Sequence, residues 1–419
     1  MPHQTPNPNP TPTPTPELQL SDPEVLHTPF AAYGRAREQS PVVHLAAPGF
    51  GGMWAVTRHA DARAFLSDPR FEIRTESFLR PDVPDDCAPY MRTMAEMNGP
   101  EHLRLRRLVA PAFGARRAAA FRPRIESTVD RLLDDLAARA SRQDDMVDLL
   151  ADFALYLPME VICAWVGIPD EDRPQWRAAG ATIAAGAGPQ FAAAIPGIIR
   201  SAKQAVTRRR TELADPTPTE AHADTPTDLL TDLIHAQDED GDRLTDAEMV
   251  TLIWHVVLAG QSPTPLVANA VDALLAHPDQ LAALRADPAL LPGAVDELTR
   301  WAGPTLLSIP RYATEDTDLH GVRIPQGEAV TALVASANRD PRAYPHPEQL
   351  DVRRATPTTP HLSFGHGPHF CLGASVARLQ TEAAIAGLLR RFPNLTRAGE
   401  AKRALDPGTW RLESLPVRL

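Results

Sequence analysis

His361 to Arg378 reads HLSFGHGPHFCLGASVAR, and five of its positions stand at the spacing Phe-x-x-Gly-x-His-x-Cys-x-Gly: Phe364, Gly367, His369, Cys371 and Gly373. The glycines and Pro368 make a tight turn, and the turn delivers one cysteine to the start of a helix beginning near Leu372. Two effects at such a position favour the thiolate of Cys371: unpaired backbone N–H groups and the positive end of the helix dipole. Gly367 and Gly373 let the backbone approach a flat partner closely. A lone cysteine in a tight loop is ordinarily a structural residue, but five positions matching together at fixed spacing are rarely supplied by chance.

Outward from this segment, the chain has the composition of a globular protein. It has 419 residues, 43% hydrophobic and 23% charged, with a formal net charge of −11. The length alone would allow two or three domains. The negative balance argues against a nucleic-acid binder, which would carry a basic footprint. Three scattered cysteines, Cys87, Cys163 and Cys371, are too few for a disulfide framework. The N-terminus, MPHQTPNPNPTPTPTP, lacks the charged start and apolar core of a signal peptide. Its alternating prolines favour extended polyproline II and leave nothing to bury, so residues 1–18 are expected to be a disordered tail. No run of about 20 apolar residues occurs, so a soluble, cytoplasmic protein is expected, acting on a small molecule without membrane or nucleic acid, as a monomer.

The remaining chain reads as mostly α with minor β. GGMWAVTR (51–58) has strand composition and is followed by a helical HADARAFL. Ile125, Val129, Leu132, Leu133 and Leu136 recur at helical spacing between charged residues, predicting an amphipathic helix. GVRIPQGEAV (321–330) predicts a hairpin turning at Pro325 to Gly327. Long helical patterns run over 246–276 and 372–391, and 213–227 (LADPTPTEAHADTPT) predicts a loop between helices.

The cysteine segment resembles the haem-binding loop of the cytochromes P450, and specifically of their soluble bacterial branch. The resemblance spans 19–419 and implies one large domain with haem b held between the cysteine loop and a long distal helix. It implies Cys371 as the proximal iron ligand, whose thiolate favours O–O cleavage, His369 as a donor to a haem propionate, and Phe364 packed beside the thiolate. Other landmarks follow in the family's order. DELTR (296–300) holds Glu297 and Arg300, weak evidence alone because i,i+3 ion pairs are common on exposed helices; with Arg354 they match the family's buried structural Glu–Arg–Arg cluster. Leu350 stands where an aromatic residue is usual. His102 and Arg106, one turn apart in GPEHLRLRRLVAPAF, resemble the family's propionate-binding helix, and Arg311 resembles the arginine that reaches a propionate from a strand. Arg104 and Arg107 point elsewhere on that helix, and either help form a basic surface for an acidic redox protein such as ferredoxin or lie on a solvated face.

The departure lies in the distal helix. TLIWHVVLAGQSPTPLVANAVDALLAHPDQL carries Ala259 and Gly260 at the family's oxygen-binding groove. Relatives usually follow that pair with any residue, an acid and a threonine, which deliver protons during oxygen activation; here Gln261, Ser262 and Pro263 occupy those slots, with Thr264 one further on. Pro263 lacks an N–H, so the Ala259 carbonyl loses its helical partner, and Pro265 does the same to Gln261. Helix-interior prolines cost about 3 kcal/mol each, so both need compensation. Two readings follow. Either Ser262 or Thr264 with ordered water replaces the relay and hydroxylation proceeds, or the substrate completes the relay and radical recombination couples aromatic or cyclic-dipeptide substrates without inserting oxygen. Ser262 and Thr264 lie about 200° apart on an ideal helix, so at most one should face the haem.

By family position the pocket is walled by 71–97, part of 178–205, 254–264, 303–309 and 409–410, offering Phe78, Met91, Met94, Trp254, Leu306, Leu307 and Trp410 as apolar surface. Few polar anchors suit a neutral, medium-sized organic substrate, and the resemblance implies natural-product biosynthesis, where relatives with altered relays often act. Cys87 has no expected role. The chain has no dinucleotide or flavin fingerprint of its own. Two other classes stay open: a haem protein without turnover, and a peroxide-driven enzyme that bypasses the missing relay.

Overall fold

The computed structural model describes residues 15–47, 50–78, 81–184, 188–214, 227–239, 244–354 and 359–419. Residues 1–14 of the expected tail and 215–226 of the expected 213–227 loop lie outside the described residues. The helices that position the site are α1 (Pro29–Gln39), α2 (His59–Ser67), α3 (Gly99–Val109), α4 (Ala115–Ala140), α5 (Leu157–Val166), α6 (Asp246–Ala259), α7 (Pro263–Ala276), α8 (Leu291–Ala302) and α9 (Ala374–Arg391). In α4 the expected apolar stripe, Ile125, Val129, Leu132, Leu133 and Leu136, is buried, and it packs against α9. Helix α9 also packs on α7 and α8, so the element that follows Cys371 is clamped from three sides. None of the described helices is long and apolar enough to cross a membrane.

The strands of the main sheet and of the hairpin beside it are β1 (Glu17–Gln19), β2 (Val42–Ala47), β3 (Phe50–Val56), β4 (Phe71–Glu72), β5 (Arg311–Ala313), β6 (Thr317–Leu319), β7 (Val322–Ile324) and β8 (Ala329–Ala332). Six form one sheet in the order β1-β2-β3-β8-β5-β4, with β1–β2 and β3–β8 parallel and the other pairs antiparallel. Strand β1 corrects the tail boundary: Glu17 and Leu18 pair with His44 and Leu45 rather than extending the tail, and Leu18 packs on the cluster around Tyr33 and Leu45. The hairpin also differs from expectation. Strands β6 and β7 turn at His320 and Gly321, both with positive φ (54° and 83°). Pro325 to Gly327 instead hands the chain from β7 to β8, which pairs with β3 and β5. The cause is local: Pro325 cannot donate to a ladder, whereas Gly321 adopts a left-handed turn without strain.

The expected helix over 246–276 is two helices. Residues 260–262 form turns, and Pro263 is the first residue of α7, where its missing N–H costs nothing. The carbonyls expected to be orphaned are satisfied by tighter contacts: Ala259 O accepts from Ser262 N at 3.1 Å, and Gln261 O accepts from Thr264 N at 3.1 Å. Gly260 sits at the break because a Cβ there would fall 2.4 Å from Ile162 Cγ1 on α5.

The Glu297, Arg300 and Arg354 side chains meet as expected. Arg300 grips Glu297 in a fork (Nε–Oε2 2.7 Å, Nη2–Oε1 2.8 Å), and Arg354 Nε donates to Oε2 at 3.0 Å. Arg300 also donates to the carbonyls of Asn338 and Pro347, tying α8 to the loop that precedes the cysteine segment. Leu350 is buried beside Leu298 and Val352, so the aromatic slot is filled by an aliphatic side chain.

Candidate active site around Cys371

Cys371 is held at the end of a short turn. Its N–H donates to the Phe364 carbonyl at 2.8 Å, and Gly373 caps α9 two residues later. Gly365 and Gly367 both have left-handed φ (71° and 72°), which a side chain would strain. Gly367 serves a different purpose from the one expected. A Cβ there would strike Leu66 O at 2.8 Å, so this glycine lets the loop lie on the end of α2. At Gly373 no atom beyond its chain neighbours and its own helix lies within 4 Å of where a Cβ would be, so that side of the loop is open.

Burial pushes the Cys371 thiol up, while the Gly373 N–H and the charges of Arg106 and Arg378 pull it back. Arg378 was not singled out by sequence. It donates through Nε to Asp296 (2.6 Å) and lies 4.7 Å over the Phe364 ring, so Phe364 is sandwiched beside the cysteine by a fixed cation. Its signal was its place one turn into the helix that follows the cysteine.

Above the loop lies a cationic group. His102 and His369 stack with ring centroids 4.2 Å apart, and Arg106 Nη2 donates to the Phe370 carbonyl at 2.5 Å. Arg311 is buried, with its guanidinium 5.7 Å from the centre of the Phe65 ring. Burial alone holds Arg311 down to about 10. Burial, His102, Arg311 and Arg106 together push His369 down to about 3. Among the described residues no carboxylate pairs with Arg311, Arg106, His102 or His369. Buried cationic and donor groups gathered without an acid, and lowered first by burial and then, at His369 and His102, by their neighbours' charge, call for an anion between them. The open side of Gly373, the deeply enclosed yet partly accessible Cys371, and this acid-free cluster therefore fit a flat dianionic macrocycle ligated by a thiolate. Arg104 is not part of that surface or of a free basic patch, because it is paired with Glu248 of α6.

On the distal side, Ala259 and Ser262 are exposed and Gly260 is partly so, whereas Gln261 and Thr264 are buried. Gln261 Nε2 donates to Thr264 Oγ1 (2.8 Å) and to the Leu155 carbonyl (3.2 Å). Thr264 Oγ1 thus accepts from Gln261 and is buried, whereas the Ser262 hydroxyl, the other relay candidate, is exposed. The wall residues sort similarly. Trp254 is buried with Nε1 on the Tyr90 carbonyl (2.9 Å), Leu306 is fully buried in the core, and Trp410 packs edge-on to Phe30 of α1 at 5.2 Å. His255, beside Trp254, was passed over; a histidine inside the apolar run LIWHVVLAG was the available signal.

A family model described as Cytochrome P450 matches residues 189–412. The chain is 37% identical over 407 residues to cytochrome P450 107B1 of Saccharopolyspora erythraea, covering 92% of this chain and 94% of that one. It is 36% identical over 395 residues to the cytochrome P450 monooxygenase PikC of Streptomyces venezuelae, covering 93% and 91%. Among solved structures it resembles the cytochrome P450 enzyme CxnD, described as acting in C–S bond formation in chuangxinmycin biosynthesis. That match has a TM-score of 0.78 and 31% identity, covering 96% of this chain and 97% of that one.

Proposed function

This chain belongs to the cytochrome P450 family of haem-thiolate oxidoreductases, and from that premise we propose that it inserts oxygen into a neutral, largely apolar organic substrate of medium size, in natural-product biosynthesis, with electrons delivered by ferredoxin. The acid-free cluster of His102, Arg106, Arg311 and His369 beside Cys371 carries this reading. Cys371 would hold the iron, and the four donors would hold the two propionates. The bound haem supplies the electron-transfer and dioxygen chemistry. The chain's own residues set its surroundings. The Gly373 N–H, Arg106 and Arg378 favour the thiolate form of Cys371 against the burial that opposes it, and Phe364 would pack beside the sulfur. Ala259 and Gly260, at the end of α6, leave space beside the distal face. Ser262 offers the open hydroxyl that would hold a proton-carrying water, while Gln261 and Thr264 fix the turn that presents it.

A second reading is favoured by one observation: Pro263, in the slot where the family's alcohol usually stands, has neither hydroxyl nor N–H. A substrate that completes the proton path itself would then undergo hydrogen abstraction and bond formation without net oxygen insertion. The resemblance to CxnD, described as acting in C–S bond formation, is in keeping with that alternative. Turnover in isotopically labelled dioxygen separates the two. A labelled oxygen atom in the product supports insertion, and an unlabelled, coupled product overturns it.

A further inference from the structure

From Met249 to Leu258, every residue of α6 is buried except His255. His255, Ala259 and Ser262 fall at i, i+4 and i+7, so the only uncovered stripe along this part of the distal helix begins at an imidazole. His255 is partly accessible as a residue although its imidazole is deeply enclosed, unlike its fully covered neighbours along the helix. Its Nδ1 is buried without a partner. The other polar side chains buried around this stretch are all satisfied: Thr251 and Trp254 donate to the Tyr90 carbonyl, and Gln261 donates to Thr264. An unpaired buried polar atom next to fully paired neighbours needs a ligand or water to account for it.

Resting on the function proposed above, we propose that His255 is the polar anchor of the substrate pocket and takes a neutral oxygen function, a hydroxyl or ketone, of an otherwise apolar substrate. Four residues along the helix place that oxygen about 6 Å from the Ala259 groove, so the oxidised position lies about one helical turn from the anchored one. A neutral ligand is favoured because burial keeps this imidazole uncharged, and among the described residues no charged side chain pairs with it that could neutralise a carboxylate or ammonium.

The test uses the haem-loaded protein and four probes: cyclododecanol, cyclododecanone, cyclododecane and cyclododecanecarboxylic acid. Binding is read from the low-to-high-spin shift and, independently of spin state, by equilibrium dialysis. The wild type should bind the alcohol and the ketone. His255→Leu should weaken both about five- to tenfold while leaving cyclododecane unchanged, and His255→Asn should restore part of the loss. Equal losses for all probes, His255-dependent preference for the carboxylate, or no binding of the alcohol to wild type would overturn the proposal. The carbonyl spectrum of the wild type is recorded first. Absence of its thiolate-type band would instead overturn the proposed function, so the two failures are distinguishable.

Discussion

Replacing Arg300 with leucine tests whether the charged cluster under the cysteine loop is structural. The Arg300 and Glu297 side chains are 2% and 3% exposed, so water cannot replace either one. The substitution removes both fork contacts on Glu297, leaving the carboxylate with Arg354 Nε at 3.0 Å and the Asp351 N–H at 3.1 Å. It also strips a donor from the Asn338 and Pro347 carbonyls. Breaking one partner of a buried pair costs about 3–5 kcal/mol. The two carbonyls push the expectation toward the upper part of that range. A chain of this size should have a urea m-value above the roughly 1–3 kcal/mol/M of small proteins, so the midpoint should fall by about 1 M. Arg300→Lys, which keeps the charge but not the planar fork, should lose about half as much. Glu297→Leu combined with Arg300→Leu should be less destabilised than the sum of the two single variants, because no charge is then left stranded. The assay is urea unfolding followed by far-UV circular dichroism, with haem content measured on the same samples. An Arg300→Leu midpoint within about 0.2 M of wild type, or strict additivity in the double variant, would refute the reasoning.

Three further outcomes are expected. Ser262→Ala should raise the share of reductant lost as peroxide several-fold, whereas Thr264→Val should leave that share near wild type and cost about 1–2 kcal/mol of stability by stranding the Gln261 amide; the reverse pattern would mean that Thr264 carries the relay. Arg311→Leu should speed haem transfer to an acceptor globin by tenfold or more, since a buried counter-charge is lost, and an unchanged rate would remove Arg311 from the propionate set. His255 is held down to about 4 by burial, below its unfolded value of about 6.5, so the unfolded chain binds the extra proton between those values. Stability should therefore fall as pH drops from about 6.5 to 4, by up to about 3 kcal/mol, and His255→Leu should flatten that slope; an identical pH profile in the variant would contradict it.

Much of the framework was legible because the strongest signals were periodic or tightly spaced. The stripe from Ile125 to Leu136 and the Glu297, Arg300 and Arg354 set both depend on backbone rules or on motifs that specify their own geometry. What escaped were properties decided by contacts distant in sequence. Pro325 to Gly327 looked like a hairpin tip, but pairing of β8 with β3, nearly 280 residues away in sequence, claims the strand that follows. Gly367 looked like a close approach to a cofactor, but the surface it meets is the end of α2. Ser262 and Thr264 were separable as pointing apart, yet only the packing of Gln261 against Leu155 decides which hydroxyl stays open. His255 was hidden by its neighbours, since an apolar run reads as core until the uncovered stripe of the helix is known.

The most direct test of the central claim is the spectrum of the ferrous carbonyl complex of the purified, haem-loaded protein. Thiolate ligation by Cys371 predicts the strongly red-shifted Soret band in the wild type and its loss in Cys371→Ser. Retention of that band in Cys371→Ser, or its absence from a fully loaded wild type, would contradict the account.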